Sequence, residues 1–149
     1  MAIVAAAVVA GVFVAGSPQE ERLRRFDVQR ANDLQSIQWQ VINYWQSKAD
    51  LPVNLVVLND DISGFRVPND PETGKVYDYE KRDTLKFALC ADFTRPSLEG
   101  QDQNTRAKAM PMAVPASGVQ QNWTHAAGHV CFERTIDPDF YKPREPVKQ

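Results

Sequence analysis

The sequence predicts an α+β domain in which a long N-terminal helix packs on a small antiparallel sheet of three to four strands. Three observations lead there. Apolar residues recur at spacings of three and four from Leu23 to Trp45, the period of one helix face. Beyond residue 60 the pattern changes to alternation, in short runs bounded by Pro, Gly, Asn and Asp. Ten prolines, most of them after residue 50, fit short connections better than further long helices. With 149 residues there is room for one modest domain. Seventeen basic and 19 acidic side chains leave a formal charge of −2, so no overall field would draw nucleic acid to the chain.

Residues 1–18, "MAIVAAAVVAGVFVAGSP", carry no charged side chain. In a helix Ile3, Val4, Val8, Val9, Val12, Phe13 and Val14 would cover all sides, which suits lipid better than a one-sided soluble core. Eighteen helical residues span about 27 Å, against a hydrocarbon core of about 30 Å. The segment 1–17 is therefore read as a membrane segment, with Ile3, Val8, Val12 and Phe13 facing the bilayer. A secretory signal peptide is the alternative: the length and the small residues before Ser17 fit it, but no basic residue precedes the apolar run. Arg22, Arg24, Arg25 and Arg30 follow closely, and by the positive-inside rule they would keep the domain in the cytoplasm. The two cysteines argue for the opposite side. The resulting expectation is a membrane-anchored domain, 18–142, on the extracytoplasmic side.

The helix should start at "SPQE", where Ser17 can cap, Pro18 suits the first position and Glu20 can complete a capping box. Its stripe is Leu23, Phe26, Arg30, Leu34, Ile37, Val41 and Trp45, with Arg30 as the polar interruption. Val28, Ala31, Trp39 and Ile42 widen it. Pro52 and the residues before it end the helix near Ala49, so its first half should be a stalk and its second half the packed part. The run "LPVNLVVLND" (51–60) is too short to separate a helix from a strand. Turn residues then crowd 63–74. "KVYDYEK" (75–81) alternates with Val76 out of phase with Tyr77 and Tyr79. "TLKFALCADF" (84–93) puts Leu85, Phe87, Leu89, Ala91 and Phe93 on one face, and the two form a hairpin. Residues 94–122 read as a long surface loop. Val130, Phe132 and Arg134 alternate in a last strand, and 143–149 read as a flexible, Pro-rich tail.

Several residue sets invite chemistry. Cys90 and Cys131 each point away from the apolar face of their strand, so they could form a disulfide if the strands pair. The alternative is two reduced, buried thiols. Closing a loop of about 40 residues would stabilise by roughly 4 kcal/mol in the chain-entropy view. "WTHAAGHVCF" (123–132) holds both histidines, and His125, His129 and the cysteines are the candidates for zinc. Without a CxxC pair the spacing matches no common zinc framework, and the same residues as a Cys–His nucleophile pair would need an exposed sulfur and an oxyanion site. Asp60, Asp61, Asp70, Glu72 and Asp78 cluster around the turns and are the candidates for calcium, although solvated turn acids explain them as well. Trp39, Trp45 and Trp123 read as packing residues. No glycine-rich phosphate loop or GxSxG elbow occurs, and no cofactor is expected.

The order of elements resembles type IV pilins and type II secretion pseudopilins. There a membrane helix continues into a helix packed on a small antiparallel sheet, and a "P-x-D-P-x-G-x-x-Y-x-Y" stretch enters that sheet. Pro68, Asp70, Pro71, Gly74, Tyr77 and Tyr79 follow it in order, with two residues rather than one between Pro71 and Gly74. "GSPQEERLRRFDVQRANDLQSIQWQVINYW", "FALCADF" and "HVCFERTID" look closer to the C-terminal domain of uncharacterised bacterial multi-pass membrane proteins. The uncharged residues 1–18 lack the glutamate that a pilin carries in its apolar run. What the resemblance implies is thus a non-catalytic, membrane-tethered structural or interaction module, with the lipid bilayer and protein partners or further copies as its contacts. A metal-binding or enzymatic domain using His125, His129 and the cysteines is the alternative, and a pilus or pseudopilus subunit is a third.

Overall fold

The computed structural model describes residues 17–98 and 122–144. Helix α1 runs Pro18–Lys48, and a single turn of 3-10 helix follows at Leu55–Leu58. Strands β1 (Asp78–Lys81), β2 (Lys86–Phe93) and β3 (Gly128–Thr135) form one antiparallel sheet in the order β1-β2-β3. The described residues thus form one long helix on a three-stranded antiparallel sheet, in agreement with the α+β expectation.

The helix begins at Pro18, as the sequence predicts, but the Ser17 side chain makes no capping bond. The Ser17 carbonyl instead accepts from Glu20 and Glu21 N–H, and the Glu20 carboxylate pairs with Arg95, 2.8 Å away. At the other end Ala49 adopts φ 55°, and its N–H closes the last turn on the Trp45 carbonyl. Full burial starts at Asp27, so the less covered part of the helix is about its first nine residues rather than half its length. From there Leu34, Ile37, Val41, Ile42 and Trp45 pack with Phe87, Leu89, Ala91 and Phe93 of β2, and Leu51, Leu55, Leu58, Phe132 and Ile136 close the core. Val28 and Trp39, expected on the buried stripe, stand more than a third exposed at its edges.

Strand β2 is central, paired to β1 from Asp78↔Cys90 to Lys81↔Phe87 and to β3 from Lys86↔Thr135 to Phe93↔Gly128. The alternation read from the sequence fixes the faces. Phe87, Leu89, Ala91 and Phe93 turn to the helix, while Cys90 and Asp92 turn away. Tyr77 is buried and Val76 exposed, as their opposite phase predicts. Arg144, placed in the expected tail, donates its N–H to the Gln46 carbonyl at 2.7 Å and ties the end of the described chain to α1.

Membrane anchoring needs correction. Among the described residues no helix is long and apolar enough to cross a membrane. Helix α1 carries Glu20, Glu21, Arg22, Arg24 and Arg25 in its first two turns, charges that a hydrocarbon core strongly disfavours. Ile3, Val8, Val12 and Phe13, the residues expected to form the anchor, lie outside the described residues, so the membrane-anchored location has no support in the structure. The extracytoplasmic side inferred from the cysteines loses the membrane it was referred to. The loop expected at 94–122 also falls mostly outside the described residues.

Candidate functional site

The sulfur–histidine face lies on the side of the sheet remote from the helix. Cys90 and Cys131 are direct register partners in β2 and β3, with Cα atoms 4.0 Å apart, and they form a disulfide. Asp92 and His129 are partners one step along on the same face. His129 Nδ1 meets Asp92 Oδ1 at 2.8 Å, and His129 Nε2 lies 3.6 Å from Cys131 Sγ. In the neutral tautomer whose Nδ1–H donates to Asp92, Nε2 is the lone-pair nitrogen turned to the sulfurs. The donor atoms of Cys90, His129 and Cys131 all fall within 4.8 Å of one another. Asp78, register partner of Cys90, and Glu133, register partner of Ala88, add acid to the same face, where Glu80 is paired with Arg82 at 3.0 Å.

His125 does not belong to this set. Gly128, the first residue of β3, takes φ 103°, a conformation side-chain-bearing residues rarely adopt, and it turns the chain as the strand begins. His125 is thereby placed against the other side, stacked on Phe93 with ring centroids 3.6 Å apart. Its backbone carbonyl accepts from Ser97 N–H at 2.9 Å, and its N–H donates to Ser97 Oγ at 3.1 Å. This histidine fastens the strand entry to the chain leaving β2. The zinc candidates therefore reduce to His129 and the two cysteines.

The calcium candidates are engaged by the protein itself. Asp60 folds its own turn, accepting from Ile62 N–H at 2.9 Å and Ser63 N–H at 3.2 Å, and Asp61 pairs with Arg66. Asp70 and Glu72 converge on Arg30, which is 2% exposed. Arg30 Nε and Nη2 reach the two Asp70 oxygens at 2.5 and 3.2 Å, Nη2 also reaches Glu72 at 2.7 Å, and Nη1 reaches Asp27 at 2.8 Å. Asp27 in turn accepts from Thr94 and Arg95 N–H, each at 2.9 Å. A guanidinium fork thus occupies the space a cation would need. Asp78 sits apart from them in β1.

Electrostatics follow from this packing. Burial works against the charge on Arg30, but Asp70, Glu72 and Asp27 outweigh it and raise its pKa. Burial likewise works against Asp70 as a carboxylate, yet Arg30 and the Thr73 and Glu72 amides hold its pKa down to about 2. A folded pKa below the ordinary 3.8 means that the unfolded chain binds the proton more readily. The stability this carboxylate contributes is complete above about pH 4 and is lost as the pH falls through about 2. Urea midpoints measured down a pH series should show that loss, and Asp70→Asn should flatten it.

Arg134, read from the sequence only as a strand residue, is the second buried cation. Among the described residues its partners are neutral: Gln38 Oε1 at 2.7 Å, the Glu133 carbonyl at 3.0 Å and the Asn122 carbonyl at 2.7 Å. The guanidinium lies 4.4 Å from the Trp123 ring centroid, and burial lowers its pKa to about 10. It clasps α1, β3 and the 122–123 segment together. A cavity of about 20 Å³ lined by Arg24, Asp27, Arg95 and His125, among others, has room for a water and not for a metabolite.

No family model matches the chain, and no curated protein or solved structure matches it either. Asp92 joins this face although the candidate residues drawn from the sequence do not include it. Its signal was available: it stands two positions from Cys90, as His129 does from Cys131.

Proposed function

We propose that the chain is a structural and interaction module, without catalysis of its own and pilin-like in plan, that docks on protein through the segment 53–62. One observation carries this reading. Val53, Val56, Val57 and Ile62 are 76, 67, 41 and 98% exposed within a single short stretch. Scattered apolar residues need no explanation, but a local concentration on a fixed backbone suits a protein partner. The backbone is fixed. Leu51, Leu55 and Leu58 are buried beneath it, and Asn54 accepts from Val57 N–H at 3.3 Å. Beyond the 3-10 turn, Val67 N–H donates to Asn59 Oδ1 at 2.8 Å and Asp60 N–H to the Phe65 carbonyl at 3.0 Å. A preordered apolar shoulder loses little conformational entropy on docking.

The pilin-like plan is supported by how the "P-x-D-P-x-G-x-x-Y-x-Y" residues act. Asp70 grips Arg30 of α1, Tyr77 donates to Asp33 at 2.7 Å, and Tyr79 donates to the Pro52 carbonyl at 2.9 Å, so the stretch docks the sheet entry on the helix. The partner expected first is a second copy, because a formal charge of −2 sets up little repulsion between copies. Sedimentation velocity over a concentration series should show reversible self-association. The double variant Val56→Asp, Ile62→Asp should remain monomeric with an unchanged melting temperature. A wild-type chain that stays monomeric up to its solubility limit would end this reading.

A further inference from the structure

We propose that reduction converts Cys90, Cys131 and His129 into a zinc site on the outer face of the sheet. The register brings the three donors together without help from any loop: Cys90 faces Cys131, and His129 is two residues before Cys131 on the same side of β3. Tetrahedral zinc places its sulfur and nitrogen ligands about 3.5–4 Å apart, from bonds of about 2.3 and 2.0 Å. The three donor atoms already lie within 4.8 Å of one another, so side-chain rotation alone spaces them. Asp92 supplies the supporting contact that zinc-binding imidazoles commonly have, a carboxylate on Nδ1 that directs Nε2 to the metal. Water completes the fourth position.

The acidic surround decides between metal binding and thiolate chemistry. Asp78, Asp92 and Glu133 share this face with the sulfurs, Glu80 there is paired with Arg82, and Lys86 stands at the far end of the same face of β2. Such a field disfavours a bare thiolate, which reactive cysteines need, and favours a divalent cation. The conversion balances with a small dithiol as reductant. One of its thiolates attacks the exposed Cys131 Sγ and expels Cys90 as a thiolate, which takes up a proton. Its second thiolate closes the reductant into a cyclic disulfide and expels Cys131, which is protonated in turn. Zinc then displaces both protons and is held by two thiolates and the neutral imidazole.

The test uses the full chain, reduced with a dithiol and moved into anaerobic, reductant-free buffer. It is titrated with cobalt(II) as a spectroscopic probe and then with zinc(II), while circular dichroism follows the fold. One cobalt per reduced chain, with intense cobalt–thiolate absorption that zinc abolishes, is expected, and none in the oxidised chain. Asp92→Asn, an exposed change that leaves all three ligands in place, should weaken zinc binding by about 10–100-fold. His129→Ala should weaken it further. The proposal is overturned if the reduced, folded chain gives no cobalt–thiolate band. It is overturned equally if His129→Ala binds as tightly as wild type, or if reduction unfolds the chain and zinc does not restore it.

Discussion

Arg30→Met is expected to lower the free energy of unfolding by about 3–5 kcal/mol, a large part of what a domain of this size commonly has. The magnitude comes from what is left behind. Asp27 and Asp70 are buried, and both would lose the guanidinium that balances them. The loss would also reach three separate parts of the chain, because Arg30 joins α1 to the turn at 70–72 and to Thr94 after β2. Arg30→Lys should recover only part of the stability, since an ammonium cannot reach three carboxylates in a fixed fork. Urea titration monitored by tryptophan fluorescence measures both variants. A loss below about 1 kcal/mol for Arg30→Met would show that the carboxylates find solvent instead.

Replacing both cysteines by alanine is the second large change, with an expected cost of about 4 kcal/mol. The bridge joins residues 41 apart in sequence, and its main effect in the chain-entropy view is on the unfolded chain, which is freed when the bridge is absent. Cys90 is 6% exposed, so alanine there also removes buried sulfur contacts. Wild type unfolded in the presence of a dithiol should lose most of the same stability, short of what the buried Cys90 sulfur contributes. Equal urea midpoints for oxidised wild type and the double variant would mean that the bridge restrains nothing beyond what the sheet already holds. Zinc added in excess to the reduced wild type, and not to the double variant, should return part of the loss by mass action.

The parts of this structure that were legible in the sequence are the local and periodic ones. The stripe Leu34, Ile37, Val41 and Trp45 fixes α1 because helical period is a property of neighbouring residues, and alternation fixes the faces of β2 and β3 for the same reason. The cysteine pair followed from strand phase. What was not legible depends on contacts between distant residues. Arg30 could be seen as an interruption of an apolar stripe, but its partners Asp70 and Glu72 lie 40 and 42 residues away. The same acids, seen alone, resembled a calcium loop. The two histidines looked like one site because even spacing on a continuous strand would put them on one face. The backbone of Gly128 breaks that continuity, and spacing alone does not report it. Trp39 and Val28 failed as core predictions because a three-stranded sheet is narrower than the apolar stripe laid across it.

The bond between Cys90 and Cys131 also makes residues 91–130 part of a covalent ring. In an open chain, each doubling of a loop costs about 0.6 kcal/mol of closure entropy on folding. In a ring that cost is largely cancelled, because the ends are held together in the unfolded chain as well. The register of β2 on β3 is then insulated from the length of what connects them. Segments could be lengthened, shortened or exchanged inside the ring during evolution, or by an engineer seeking a place to display a peptide. The sheet on which they are mounted would keep its alignment.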